Sequence, residues 1–156
     1  MLDRFDIRIL EVWQERGDIG PVDMAQIVHL SASQCSRRMA ALRKAGLVRG
    51  FRAVLDPGKV GIGIQAYVLL TMKSHSPEAA ASFRSKVVDL DEVLECQALT
   101  GTADMILKVA THDLASFNDL LTRKILGASE VATAQSSIIL EDVKSTTCLP
   151  LRYTAR

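Results

Sequence analysis

Apolar positions in the first third of the chain recur every three or four residues. Phe5, Ile9, Leu10 and Trp13 line one side of a helix over residues 1 to 16, opened by Asp3 as N-cap with Asp6 three residues on. Gly17 to Gly20 makes the turn into a second, short helix that starts at Pro21 and buries Met24, Ala25 and Val28. Ser31-Ala32-Ser33-Gln34 has the Ser-x-x-Gln spacing of a capping box, so a third helix starts there. Its apolar stripe is Cys35, Met39 and Leu42, and Gly46 sits where a left-handed C-cap ends it. Two short helices joined by a tight turn, packed on a first helix, form a helix-turn-helix unit.

After Gly46 the period shortens. Leu47 to Leu55 reads as a strand and Asp56-Pro57-Gly58-Lys59 as a turn, which makes 51–62 a linker strand or hinge between a domain at 1–50 and another at 63–156. In the second domain Gln65 to Lys73 reads as a strand, and Ser76-Pro77-Glu78 starts a helix with stripe Ala80, Phe83 and Val87. Two strands follow at 93–99 and 105–110, joined by a hairpin turn at Thr100-Gly101-Thr102-Ala103. A helix capped by Asp113 buries Leu114, Phe117, Leu121 and Ile125 and ends at Gly127; the last strand is 131–140. The order βαββαβ is the ferredoxin-like split unit, and the whole chain is α+β. Tyr67-Val68-Leu69-Leu70 and Ser137-Ile138-Ile139-Leu140 are apolar on both faces. A second copy of the sheet is expected to cover the face without helices, giving a homodimer joined through residues 63 to 140; the C-terminal tail is the alternative cover.

Charge changes the picture for the first domain only. The chain of 156 residues has a formal net charge of +1, but residues 1–52 hold nine Lys/Arg against six Asp/Glu. Residues 33 to 52 carry Arg37, Arg38, Arg43, Lys44, Arg49 and Arg52 and no acid. Such a stripe suits double-stranded DNA, through counterion release along the phosphates and bidentate pairing of Arg with guanine. A solvated basic helix face has the same spacing. Ser33, Gln34, Ser36, Arg37 and Arg38 are the candidates for base contact, and Arg43, Lys44, Arg49 and Arg52 for phosphate or solvent.

The remaining chemistry is sparse. Cys35, Cys96 and Cys148 are far apart in apolar surroundings and read as reduced core residues of a cytoplasmic protein. His29, His75 and His112 are isolated, which gives no metal site, and none lies in the Thr100–Asp104 turn region. There is no nucleophile with a partner base and no phosphate loop, so no catalytic residues are assigned and no cofactor is implied. The N-terminus lacks a signal-peptide layout, and no apolar run is long enough to span a membrane.

Four segments carry a family resemblance: LDRFDIRIL, VDMAQIVHLSASQCSRRMAALRKAGLVRGFRAVLDPGKVG, ECQALTGTADMILKV and FNDLLTRKILGASEVATAQSSIILEDVKSTTCLPL. Together they cover nearly the whole chain, which resembles the Lrp/AsnC, or feast/famine, transcription regulators. The resemblance implies a winged-type helix-turn-helix domain, a ligand-sensing βαββαβ domain, and dimers that assemble further, often to octamers. It also implies an amino acid or related metabolite as effector, at a turn with Gly-x-x-Asp. Here that turn is Gly101-Thr102-Ala103-Asp104, with Gly101 allowing close approach of a carboxylate and Asp104 pairing with an α-ammonium group. Thr100, Thr102 and Ser136 are further lining candidates. A plain hairpin glycine and a structural bond from Asp104 to the turn are the alternatives on chemistry alone. The tail KSTTCLPL resembles regulators of particular amino-acid catabolic genes.

Departures from the family pattern fall at both sites. Thr102-Ala103 replaces an acidic and a bulky residue, Met105 an aromatic, and Ala134 a Thr. His29 stands where the reader's turn usually has glycine, so either it accepts a left-handed backbone or the turn is reshaped. Two other functions share the architecture: an architectural DNA-binding protein without a ligand, and a haem-biosynthesis decarboxylase.

Overall fold

The computed structural model describes residues 2–151. They form two compact units: one of residues up to Val54 joined by the tail from Lys144, the other Leu55–Val143. The tail therefore belongs with the first unit and not, as 63–156 implied, with the second. Gln14 makes the attachment, its side-chain amide accepting from Leu149 N–H at 2.5 Å and donating to Leu149 C=O at 3.1 Å. Leu151 packs on the same core.

The first unit is built from α1 (Arg4–Glu15), α2 (Pro21–Val28) and α3 (Ala32–Lys44). Asp3 caps α1 by accepting from Phe5 and Asp6 N–H, and the Asp6 side chain returns the bond to Asp3 N–H. Ser31 and Gln34 do the same for α3. Most buried positions match the periodicity: Ile9, Leu10 and Trp13 from α1, Met24 and Val28 from α2, Cys35, Met39 and Leu42 from α3; Phe5 and Ala25, expected inside, are half-buried, and Val12 is buried in addition. Of the two outcomes open at His29, the left-handed backbone is adopted, with φ 55° and ψ 48° at the C-cap of α2.

The strand expected at Leu47–Leu55 is absent. Among the described residues this segment has no ladder partner up to Asp56, and it enters a 3-10 turn at Gly58–Val60. An apolar alternation predicts a strand only where a neighbour supplies hydrogen bonds. Phe51 instead packs against Trp13, ring centroids 5.6 Å apart in an edge-on arrangement.

The second unit contains β1 (Ile64–Met72), α4 (Pro77–Val88), β2 (Val93–Ala98), β3 (Met105–Thr111), α5 (Leu114–Asp119) and β4 (Val131–Ile138). The sheet order is β2-β3-β1-β4, antiparallel throughout, which is the ferredoxin-like arrangement. Ala66, Val68, Leu70 and Met72 of β1 and Met105, Leu107 and Val109 of β3 turn to the helices and meet Phe83, Val87, Phe117, Leu120 and Ile125. The opposite face carries Tyr67 opposite Lys108 and Leu69 opposite Ile106.

Beyond Asp119, α5 widens into a π segment, Leu120–Ile125. Five-residue spacing then brings Leu120 and Ile125 to the core together, while Leu114, expected inside, is exposed. Gly127 closes the segment: a Cβ there would lie 2.1 Å from the Arg123 carbonyl oxygen. The cysteines also divide. Cys35 is buried as expected, whereas Cys96, on the edge strand β2, and Cys148, in the tail, are exposed.

Candidate nucleic-acid interface and effector turn

The polar face of α3 splits into two kinds of side chain. Arg38 is tied down: its Nη1 lies 2.6 Å from Asp6 Oδ1 and 2.8 Å from Asp3 Oδ2, with the guanidinium over the Phe5 ring. The bond to Asp6 raises the Arg38 pKa further above its ordinary value. Asp3 is held below the usual carboxylate range, first by the Asp6 N–H and then by Arg38 despite some desolvation. Arg43 is likewise occupied, 5.0 Å from the Trp13 ring centroid and 5.4 Å from that of Phe51. Gln34 is exposed and spends its oxygen on the Ser31 cap.

Ser33, Ser36, Arg37 and Lys44 are exposed on α3, and Arg49 and Arg52 on the segment after it. Among the described residues Arg37, Lys44, Arg49 and Arg52 have no ion-pair partner. Ser33, Arg37, Ala40 and Lys44 lie on one stripe by their spacing of four, three and four. Sequence spacing did not separate Arg37 from Arg38, because the distinction rests on Asp3 and Asp6, more than thirty residues away.

At the other candidate site the turn between β2 and β3 is pinned by backbone. Leu99 N–H donates to Asp104 C=O and Asp104 N–H to Leu70 C=O, both at 2.8 Å. Gly101 has φ +134°, a region closed to most side chains, and an added Cβ there would meet nothing within 4 Å. Glycine is required for the backbone angle rather than for space. Thr100 and Thr102 are exposed beside it.

The Asp104 carboxylate is occupied from within the chain. Oδ2 accepts from Met72 N–H at 2.7 Å and Oδ1 lies 2.9 Å from His75 Nε2. These contacts, the Met72 N–H first, hold its pKa below the ordinary value. His75 thus belongs to the turn region after all. The signal was available in the strand order: β1 and β3 run antiparallel with Leu70 opposite Met105, so the residues just past β1 must meet the start of β3. Ser136 is not brought to the turn within one chain. It sits on β4 opposite Val68, with β1 between it and β3, two strand spacings or about 10 Å away. Among the described residues no three His, Cys, Asp or Glu side chains gather as a metal site, and no helix is long and apolar enough to cross a membrane.

Comparison with known proteins agrees with this layout. Residues 2–43 match the AsnC-type helix-turn-helix domain and residues 65–149 the Lrp/AsnC ligand binding domain. A proline dehydrogenase transcriptional activator of Rhizobium radiobacter is 32% identical, over 93% of each chain. The leucine-responsive regulatory protein of Haemophilus influenzae is 31% identical, over 97% of this chain and 91% of its own. Among solved structures, a transcriptional regulator of Neisseria meningitidis in complex with L-Met superposes with a TM-score of 0.95 at 38% identity, covering 99% of both chains. An AsnC family regulator of Agrobacterium tumefaciens gives 0.91 at 34%, over 97% of this chain and 99% of that one. With its helix-turn-helix unit, its ferredoxin-like second unit and both family models matched in order, the chain belongs to the Lrp/AsnC family of ligand-responsive, DNA-binding transcriptional regulators.

Proposed function

We propose that this regulator reads double-stranded DNA with the exposed N-terminal half of α3, and that an amino acid or close metabolite held at the Gly101–Asp104 turn modulates the reading. The carrying observation is the division of the basic side chains. Arg38 is held by Asp3 and Asp6 and Arg43, though exposed, rests over the Trp13 and Phe51 rings, whereas Arg37, Lys44, Arg49 and Arg52 are exposed without an ion-pair partner among the described residues, in a segment that contains no acid. Ser33, Ser36, the Gln34 amide and Arg37 are the base-reading set; Lys44, Arg49 and Arg52 are phosphate contacts.

L-methionine is the first effector to try, because the Neisseria relative was solved with it. The uncovered face with Tyr67, Leu69 and Ile106 supports a homodimer through the sheets, further assembled to an octamer, acting in the cytoplasm where the DNA is.

Selection of binding duplexes from a random pool, followed by anisotropy titration over a salt series, tests the reader. Arg37→Ala is expected to weaken the selected duplex about tenfold or more and relax preference at one base pair. An unchanged affinity and salt slope would reject α3 as the reading element.

A further inference from the structure

We propose that the C-terminal tail is a strap that carries the effector's presence to the reader, acting on α1 through the clasp between Gln14 and Leu149. This rests on the assignment of the effector to the Gly101–Asp104 turn. Asp104 holds one end of β1: its N–H donates to Leu70 C=O, and its carboxylate accepts from Met72 N–H at 2.7 Å. The pairing of β1 with β4 changes register at that same end, between Thr71 and Met72. The other end of β1 lies beside the end of β4, with Ala66 opposite Ile138 and Ile139 N–H donating to Gln65 C=O at 2.9 Å. Linker and tail therefore leave the sheet from one end of two paired strands. A shift of β4 along β1 moves the tail against the linker.

The two connections differ in stiffness. The linker includes Gly58, Gly61 and Gly63, with Gly61 at φ +83°, and bends easily. Residues 139–149 contain no glycine and include the β-branched Val143, Thr146 and Thr147, which favour an extended course. From Ile139 the tail is exposed until it is fixed on α1, a span of about 30 Å at full extension. There Leu149 N–H donates to Gln14 Oε1, the Gln14 amide donates to Leu149 C=O, and Cys148 Sγ lies 3.6 Å from Gln14 C=O. Gln14 follows Trp13, over which Arg43 of α3 rests, and α3 is braced to α1 again by Arg38 and Asp6. A pull on Gln14 is thus delivered to the reading helix.

The test uses the full chain and a thermal-shift panel of the twenty amino acids, L-methionine first, to find a binder. Anisotropy titration of a selected duplex, with and without that amino acid, then gives a coupling factor, expected to be about fivefold or more for wild type. Gln14→Ala opens the clasp. Inserting Gly-Ser-Gly-Ser between Val143 and Lys144, both exposed, leaves the clasp closed but adds about 13 Å of slack. Both variants should bind the amino acid alone and the duplex alone within about twofold of wild type, while the coupling factor falls below about twofold. The insertion removes no bond, so it decides the matter if Gln14→Ala fails to fold. An unchanged coupling factor in the insertion variant, or an amino acid that binds wild type without altering its duplex affinity, would overturn the strap and leave the effector site standing. No binding of any amino acid by wild type would remove the effector site itself, and the role of the strap with it.

Discussion

Arg38, in the middle of α3, and Asp6, in the first turn of α1, are joined by a 2.6 Å ion pair that also draws in Asp3. The arginine sits one residue from Arg37, yet its work is to brace two helices. Arg38→Ala should therefore lower the stability of the first unit by about 1–2 kcal/mol, the worth of a charge-assisted pair that is only partly exposed. Arg37→Ala should leave stability within about 0.5 kcal/mol. Urea titration of both variants, read by Trp13 fluorescence, distinguishes a brace from a reader.

His29 holds a left-handed conformation that costs a non-glycine residue about 1–2 kcal/mol, partly offset by the larger unfolded-state entropy of glycine. The side chain is exposed, so little packing is lost on removing it. His29→Gly should raise stability by up to about 1 kcal/mol in calorimetric melting, and His29→Val, β-branched, should lower it.

Arg43 lies over both the Trp13 and Phe51 rings, which are themselves in edge-on contact, and so ties the start of the linker to α1. Arg43→Ala should cost about 1 kcal/mol from the two cation–π contacts. It should also free Phe51, seen as faster amide exchange at residues 49 to 53. Arg43→Lys, which keeps the charge but loses the flat guanidinium, is expected to fall between.

Glu130 accepts from Lys86 and from Ser82, and these bonds hold its pKa at about 2, against the usual 4.5. A depressed carboxylate contributes its stability above the unfolded-state value and loses it as pH falls from about 5 towards 2. Wild type should accordingly lose more melting temperature between pH 6 and pH 3 than Glu130→Gln does. Equal losses would show that this pair is not linked to unfolding.

Much of this molecule was legible from spacing. Asp3, Ser31, Ser76 and Asp113 mark their helices because a cap is a local bond between residues two or three apart. The core stripe of α3 followed from period alone, as did most of that of α1, whereas β1, apolar on both faces at 67–70, left its buried face open. What spacing missed is set by distant partners: the fate of Arg38 by Asp6, that of Asp104 by His75 and Met72, and the course of Leu47–Leu55 by the lack of a neighbouring strand among the described residues. The π segment escaped because Leu121 and Ile125 suit ordinary helical spacing as well as Leu120 and Ile125 suit the wider one.

The clasp between Gln14 and Leu149 makes the first unit discontinuous in sequence. A fragment ending at Val54 would leave the Gln14 side-chain amide without its Leu149 partners and strip Leu151 from the apolar core. Independent expression of the DNA reader therefore calls for a graft in which a short loop replaces residues 55–143 and rejoins the tail. The same interruption gives a protease two places to sever the chain between the units, and a single nick at either would leave them covalently joined.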